Sequence, residues 1–325
     1  MKNYILIIFL AIIAFSCNSH SKHWDKLSQV KSYIENKPDS ALVVLEQINA
    51  FELSGKEEKA KYALLYSMAL DKNFIDKTDF EVLQPAIDYY KDNGSATDKL
   101  CTYYYQGRIY QNMGNDALAM KSYVNAINNG ETSDDILTKA RLYVAQGNIY
   151  FALMEWEKVC EANLKAAEYF HQTDKINSYV NCTLKAISAY TQNGNYQESA
   201  RYLTECEKYL DYIPQALIAN YYSEYLTYLI FIKDTNKIKN IVNKYKSEIP
   251  NDILDYGTLS NAYIALGEYQ KALETIGMID NFTDKASEMR YYAILSEIHH
   301  KLGNYEDALD AYITFNQLND SVNLV

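Results

Sequence analysis

Tyr110, Tyr150 and Tyr190 stand forty residues apart, and glycines keep fixed offsets from them: Gly107 and Gly147 three before, Gly114 and Gly194 four after. The frame returns with Tyr263 and Gly267, and with His299 and Gly303. Of the 11 glycines, six fall in these two slots. A chain built by repetition buries its apolar faces by stacking each unit on its neighbours. The turn glycines begin GN or GE. An aromatic follows two residues on (Tyr196, Tyr269, Tyr305), and then a small residue: Ala119, Ala200, Ala272 or Ala308. This pattern predicts a helix of about fourteen residues, a glycine turn and a second helix.

The segments NGNYQESA, LGEYQKAL and LGNYEDAL, together with Tyr103-x₂-Gln106-Gly107-x₂-Tyr110…Ala119-x₃-Tyr123-x₂-Ala126, resemble tetratricopeptide repeats. The resemblance covers residues 24–318, with Tyr in place of Trp and no closing Pro. It implies an all-α fold, a right-handed α-solenoid of stacked antiparallel helix pairs, read here as one array. The small residues lie where two helices approach, and the tyrosines fill the gaps beside them with their hydroxyls in water. The forty-residue steps exceed the usual repeat length, so longer loops are expected at 128–135 and 171–175. Between 216 and 249 the frame is degenerate, with Ile230, Asp234 and Lys239 in the slots. The apolar run ALIANYYSEYLTYLIFI there contains Asn220, Ser223 and Glu224 and reads as a buried helix. A helix over 79–91 should kink at Pro85. No polar capping helix follows the last unit, so either a partner covers that end or the natural protein is longer.

Lys2 and the apolar run Tyr4–Phe15 suit an export signal and are too short to span a bilayer. The run ends at Ala14-Phe15-Ser16-Cys17, which resembles the lipobox of bacterial lipoproteins, although Ala14 and Phe15 depart from its usual residues. That resemblance implies a signal peptide over 1–16, lipid on Cys17 and a tether over 17–23. The alternative is a plain signal peptide that happens to contain Cys17. The remaining cysteines, Cys101, Cys160, Cys182 and Cys206, form no CxxC pair. They read as buried thiols, with Cys182 and Cys206 the pair to test for a disulfide. A net charge of −11 without a basic run excludes a nucleic-acid surface.

No nucleophile, phosphate-loop or zinc motif occurs, so no catalytic residue, metal or cofactor is expected. His299 and His300 are adjacent and point to different helix faces. Asp134 and Asp135 read as solvated turn residues. By carry-over from the repeat family, the first helix of each pair lines a peptide groove. Its candidate residues are Tyr104, Arg108, Gln111, Arg141, Asn148, Phe151, Asn181 and Ser188, with Arg290, Glu297 and His300 near the end. Arg108, Arg141 and Asn148 would hold a peptide carboxylate. The expected function is a non-enzymatic protein- or peptide-binding scaffold, anchored to a bacterial membrane and facing the periplasm. Two alternatives stand. One is the sensor half of a membrane-bound regulator, which EKAKYALLYSMALDK and Tyr312…Leu318-Asn319-Asp320-Ser321 resemble; the other is a glycan-binding uptake lipoprotein. Residues 319–325 form a tail.

Overall fold

A computed structural model describes residues 23–323. The expected signal segment 1–16, the expected lipid site Cys17 and tether up to residue 22, and the last two residues of the expected tail lie outside the described residues. The described residues form sixteen α-helices and no strand. They are α1 (Trp24–Tyr33), α2 (Pro38–Glu46), α3 (Gly55–Lys72), α4 (Gln84–Asn93), α5 (Ala96–Asn112), α6 (Asp116–Gly130), α7 (Ile136–Ala152) and α8 (Trp156–Gln172). Then follow α9 (Ile176–Gln192), α10 (Tyr196–Glu207), α11 (Gln215–Phe231), α12 (Thr235–Glu248), α13 (Tyr256–Ala265), α14 (Tyr269–Ile276), α15 (Lys285–Leu302) and α16 (Tyr305–Asn323). The helices gather into two compact units, Met1–Ile149 and Tyr150–Val325. In the first, α3/α4 and α5/α6 are the clearest pairs, and α3 touches α5. In the second, α9/α10, α11/α12, α13/α14 and α15/α16 are pairs, and the first helices α9, α11, α13 and α15 contact one another in sequence. This is the stacked helix-pair architecture that the repeat implied.

Gly114, Gly194, Gly267 and Gly303 all take left-handed φ, between +73° and +81°, and reverse the chain within each pair. Beside two of them, Asn115 and Asn195 cap the next helix by accepting from the N–H of Leu118 and Glu198. The degenerate unit keeps this geometry one residue away from the expected frame. Lys233 takes the left-handed turn at φ 59°, and Asp234 is the cap, accepting from Lys237 N at 3.1 Å. Leu229, fully buried, therefore holds the slot expected for Ile230. In α10 the fully buried small residue is Ser199, whereas Ala200 is half-buried.

The forty-residue steps come from longer helices. The three successive helices α7, α8 and α9 are 17 residues each, and the connection 173–175 is short. Pro85 does not kink a helix: α4 starts at Gln84 and puts Pro85 in its first turn, where no N–H is needed. Asp135 is no idle turn residue; it accepts from Thr138 N at 2.9 Å and from the Thr138 hydroxyl at 2.7 Å at the start of α7. Helix α11 is the buried helix read from its sequence, and among the described residues no helix is long and apolar enough to cross a membrane.

Tyrosine packing against small residues carries the cores. Tyr123 is fully buried, and its ring lies where a side chain on Gly107 would be: an added Cβ would stand 2.3 Å from Tyr123 Cε1. Three buried tyrosine hydroxyls find partners inside the protein, contrary to the expectation that they stay wet. Tyr123 donates to Gln111 and Tyr222 to Glu248, while Tyr245 accepts from Asp255 N at 2.9 Å. Each bond ties an outer helix to an inner helix or its start.

Gly107→Ala must push Tyr123 aside and should cost about 1–3 kcal/mol through overpacking. Gly114→Ala meets no atom within 4 Å and carries only backbone strain of about 1 kcal/mol. Urea denaturation of both variants checks this; an unchanged midpoint for Gly107→Ala would remove the close approach as a determinant of the fold.

Candidate binding surfaces

In the first unit charged residues on and beside the inner helices pair with one another. Glu35, just beyond α1, accepts two bonds from Arg141 of α7, at 3.0 and 2.6 Å, and one from Lys72 of α3 at 2.9 Å. Asp71 accepts from Arg108 Nε at 2.9 Å, and the same guanidinium reaches Gln111 at 3.3 Å. Burial alone would raise the Glu35 pKa; Arg141 and then Lys72 reverse this and hold it near 2. The Lys72 ammonium is pushed below its usual range, first by burial and then by the Arg141 charge. Tyr104 is buried beside this network. Arg108 and Arg141 thus each face a carboxylate of their own chain, so neither is a ready donor for a peptide carboxylate.

Asn148 is exposed on α7. In the second unit Phe151 is exposed and meets Trp156 edge-on at 5.5 Å between ring centres. Asn181 is exposed on α9. Ser188 is the candidate that joins a cluster: it hydrogen-bonds Glu224 of α11. Burial lifts the Glu224 carboxyl to about 7; Ser188 and then Arg290 act against the rise, and Asp255 adds to it. Arg290 of α15 donates to Thr258 Oγ1 at 2.8 Å and approaches Asp255 at 3.4 Å, while half of its side chain stays exposed (51%). A line of polar groups therefore crosses all four inner helices or their starts.

Beside Arg290 opens a cavity of about 940 Å³, between the segment leading into α13 and the connection from α14 to α15. Its apolar wall includes Met278, Phe282 and Tyr291, and its carboxylates are Asp252, Asp255, Asp280 and Asp284. Two of these acids are helix caps. Asp255 accepts from Thr258 N at 2.9 Å, and Asp284 accepts from Ser287 N at 2.7 Å. The Ser287 N–H holds the Asp284 carboxyl below its usual range. The sequence signalled Glu224 only as an acid inside an apolar run. Glu35, Asp71 and Lys72 give no periodic signal, because their partners are 37 to 106 residues away.

The four described cysteines are separate buried thiols, including Cys182 and Cys206. Burial pushes Cys160, Cys182 and Cys206 to about 12, so they are poor nucleophiles near neutral pH. His299 lies toward Asp307 at 3.7 Å, whereas His300 meets the Tyr305 ring.

No family model and no curated protein matches this chain. Among solved structures it is similar to the apo form of RapI, with a TM-score of 0.64 at 13% identity, covering 92% of this chain and 98% of that one. It is also similar to a Rap protein complexed with competence and sporulation factor, with a TM-score of 0.54 at 14% identity, covering 92% of this chain and 97% of that one. At such identities the likeness shows the fold: an all-helical repeat of the tetratricopeptide type.

Glu35→Ala leaves Arg141 and Lys72 facing each other without a carboxylate and should destabilise the protein by about 2–3 kcal/mol at neutral pH. Because folding lowers the Glu35 pKa from 4.5 to about 2, its stabilisation is complete above about pH 4.5 and fades as pH falls toward 2. Glu224 has the opposite sign. Folding raises its pKa, so the wild type loses stability as pH rises from 4.5 to about 7, and Glu224→Gln should gain on it over that range. Denaturation midpoints at a series of pH values test both; parallel curves for wild type and variants would refute the assignments.

Proposed function

We propose that this chain is a non-enzymatic scaffold whose second unit binds a peptide segment of a partner protein. The observation that carries this reading is the cavity of about 940 Å³ beside the half-exposed Arg290. It combines apolar side chains with polar groups on stacked inner helices, the combination that peptide sites use for grip and direction. Met278 and Phe282 would receive an apolar side chain, and the exposed part of Arg290 would meet the peptide backbone. The four carboxylates in the wall disfavour an acidic ligand and favour one with a basic residue beside its apolar anchor. A similar structure, the Rap protein complexed with competence and sporulation factor, holds a bound partner on this type of fold. The first unit contributes rigidity, since its inner arginines are already paired.

The anchoring part of the proposal rests on sequence. The apolar run Tyr4–Phe15 and the box Ala14-Phe15-Ser16-Cys17 support cleavage after Ser16 and lipid on Cys17, with the scaffold facing the periplasm.

A random peptide library selected on the purified protein should yield binders rich in a basic residue next to an aromatic or aliphatic one. Arg290→Ala and Met278→Asp should each weaken the selected peptides about tenfold. No enrichment, or binders indifferent to both variants, would sink the peptide reading. The intact mass of the protein from native membranes tests the anchor separately: acyl groups should be present on the wild type and absent from Cys17→Ala.

A further inference from the structure

Helix α16 carries a second apolar surface that the proposed peptide site does not use. One face packs on α15 through the buried Ala308 and Ala311. A neighbouring face bears Tyr305, Leu309, Tyr312 and Ile313 at helical spacing, exposed to 68%, 57%, 53% and 44%. A groove of about 490 Å³ runs beside this stripe, with Ala293, Ser296, Glu297 and His300 of α15 on its other side. Ala293 and Ser296 on one wall and Tyr305, Leu309 and Tyr312 on the other leave an open, largely apolar groove.

The earlier pairs show what fits such a groove. Helix α11 lies against both α9 and α10, α13 against α11 and α12, and α15 against α13 and α14. Each of these three pairs is thus covered by one further helix, and among the described residues none lies on the corresponding face of α15/α16. Charge narrows the occupant. Between Tyr305 and Asp320 the helix carries Glu306, Asp307, Asp310 and Asp320 and no Lys or Arg. Glu297 adds a carboxylate across the groove, while His300 and Lys301 sit near the C-terminal end of α15. A second copy of α16 would bring these carboxylates against their own kind, which disfavours self-pairing. From the exposed stripe, the groove and the acidic charge of α16 and Glu297, we infer that α15/α16 docks an amphipathic helix of a separate protein, apolar on one face and rich in Lys or Arg at its edges.

The test uses the full chain in detergent and two labelled model helices of about 18 residues. Both carry the same leucine face; one has lysine elsewhere and the other glutamate. Fluorescence anisotropy should show saturable binding of the lysine helix, at least about tenfold tighter than the glutamate helix. Leu309→Asn with Tyr312→Asn, both at exposed positions, should abolish it. Glu306→Lys with Asp310→Lys should reverse the preference between the helices while leaving an Arg290-dependent library peptide unaffected. The inference fails if the glutamate helix binds as well, or if binding survives Leu309→Asn with Tyr312→Asn. It fails equally if sedimentation shows a dimer that this same pair of substitutions dissociates, since a second copy would then be the occupant.

Discussion

The close approach of two helices in each pair is the constraint on which the rest of the structure depends. At Gly107 the absence of a side chain lets the Tyr123 ring enter between α5 and α6. Gly130 does the same for Leu100, whose side chain lies where a Cβ would stand, 2.7 Å from Leu100 Cβ. Apolar contact fixes the spacing of the helices, and the tyrosine hydroxyl fixes their register. The Tyr123 bond to Gln111 and the Tyr245 bond to Asp255 N hold outer helices to inner ones at points that simple packing would leave free to slide. An aliphatic core could fill the same volume without specifying that register.

The features with a local cause were legible in the sequence. Glycine slots marked the left-handed turns because the turn needs positive φ, and the apolar run over α11 marked a buried helix because its polar residues are few. Where another residue does the same job, the glycine pattern misplaces the turn. Lys233 adopts the glycine conformation, and Asp234 caps like the neighbouring repeats' Asn115 and Asn195, so the frame of that unit lies one residue from where its composition suggested. The forty-residue steps suggest long loops, yet most of the added length lies in helices of 17 residues; composition marks turns more clearly than it sets helix length.

The polar inner surfaces were the least legible part. Arg108 and Arg141 were visible as inner-face residues, but their partners were not. Glu35 pairs with Arg141 across 106 residues of sequence, and no spacing rule connects them. What decides whether an inner arginine binds a ligand is the carboxylate that meets it, and that is a property of the stacked fold.

This difference separates the two units chemically. In the first, two arginines and one lysine meet two carboxylates in a mostly buried network, so a visiting anion would have to replace well-placed charge-assisted bonds. In the second, Arg290 donates to Thr258 at 2.8 Å and to Asp255 at 3.4 Å but stays half-exposed, and burial lifts the Glu224 carboxyl to about 7. A ligand that brings its own donors and acceptors there loses little internal bonding and gains apolar contact with Phe282 and Met278. Affinity depends on that surplus, because binding must first offset the bonds and water it displaces. On the peptide reading proposed for the second unit, similar inner helices would give rigidity in one unit and recognition in the other, according to how far each charge is buried with its partner.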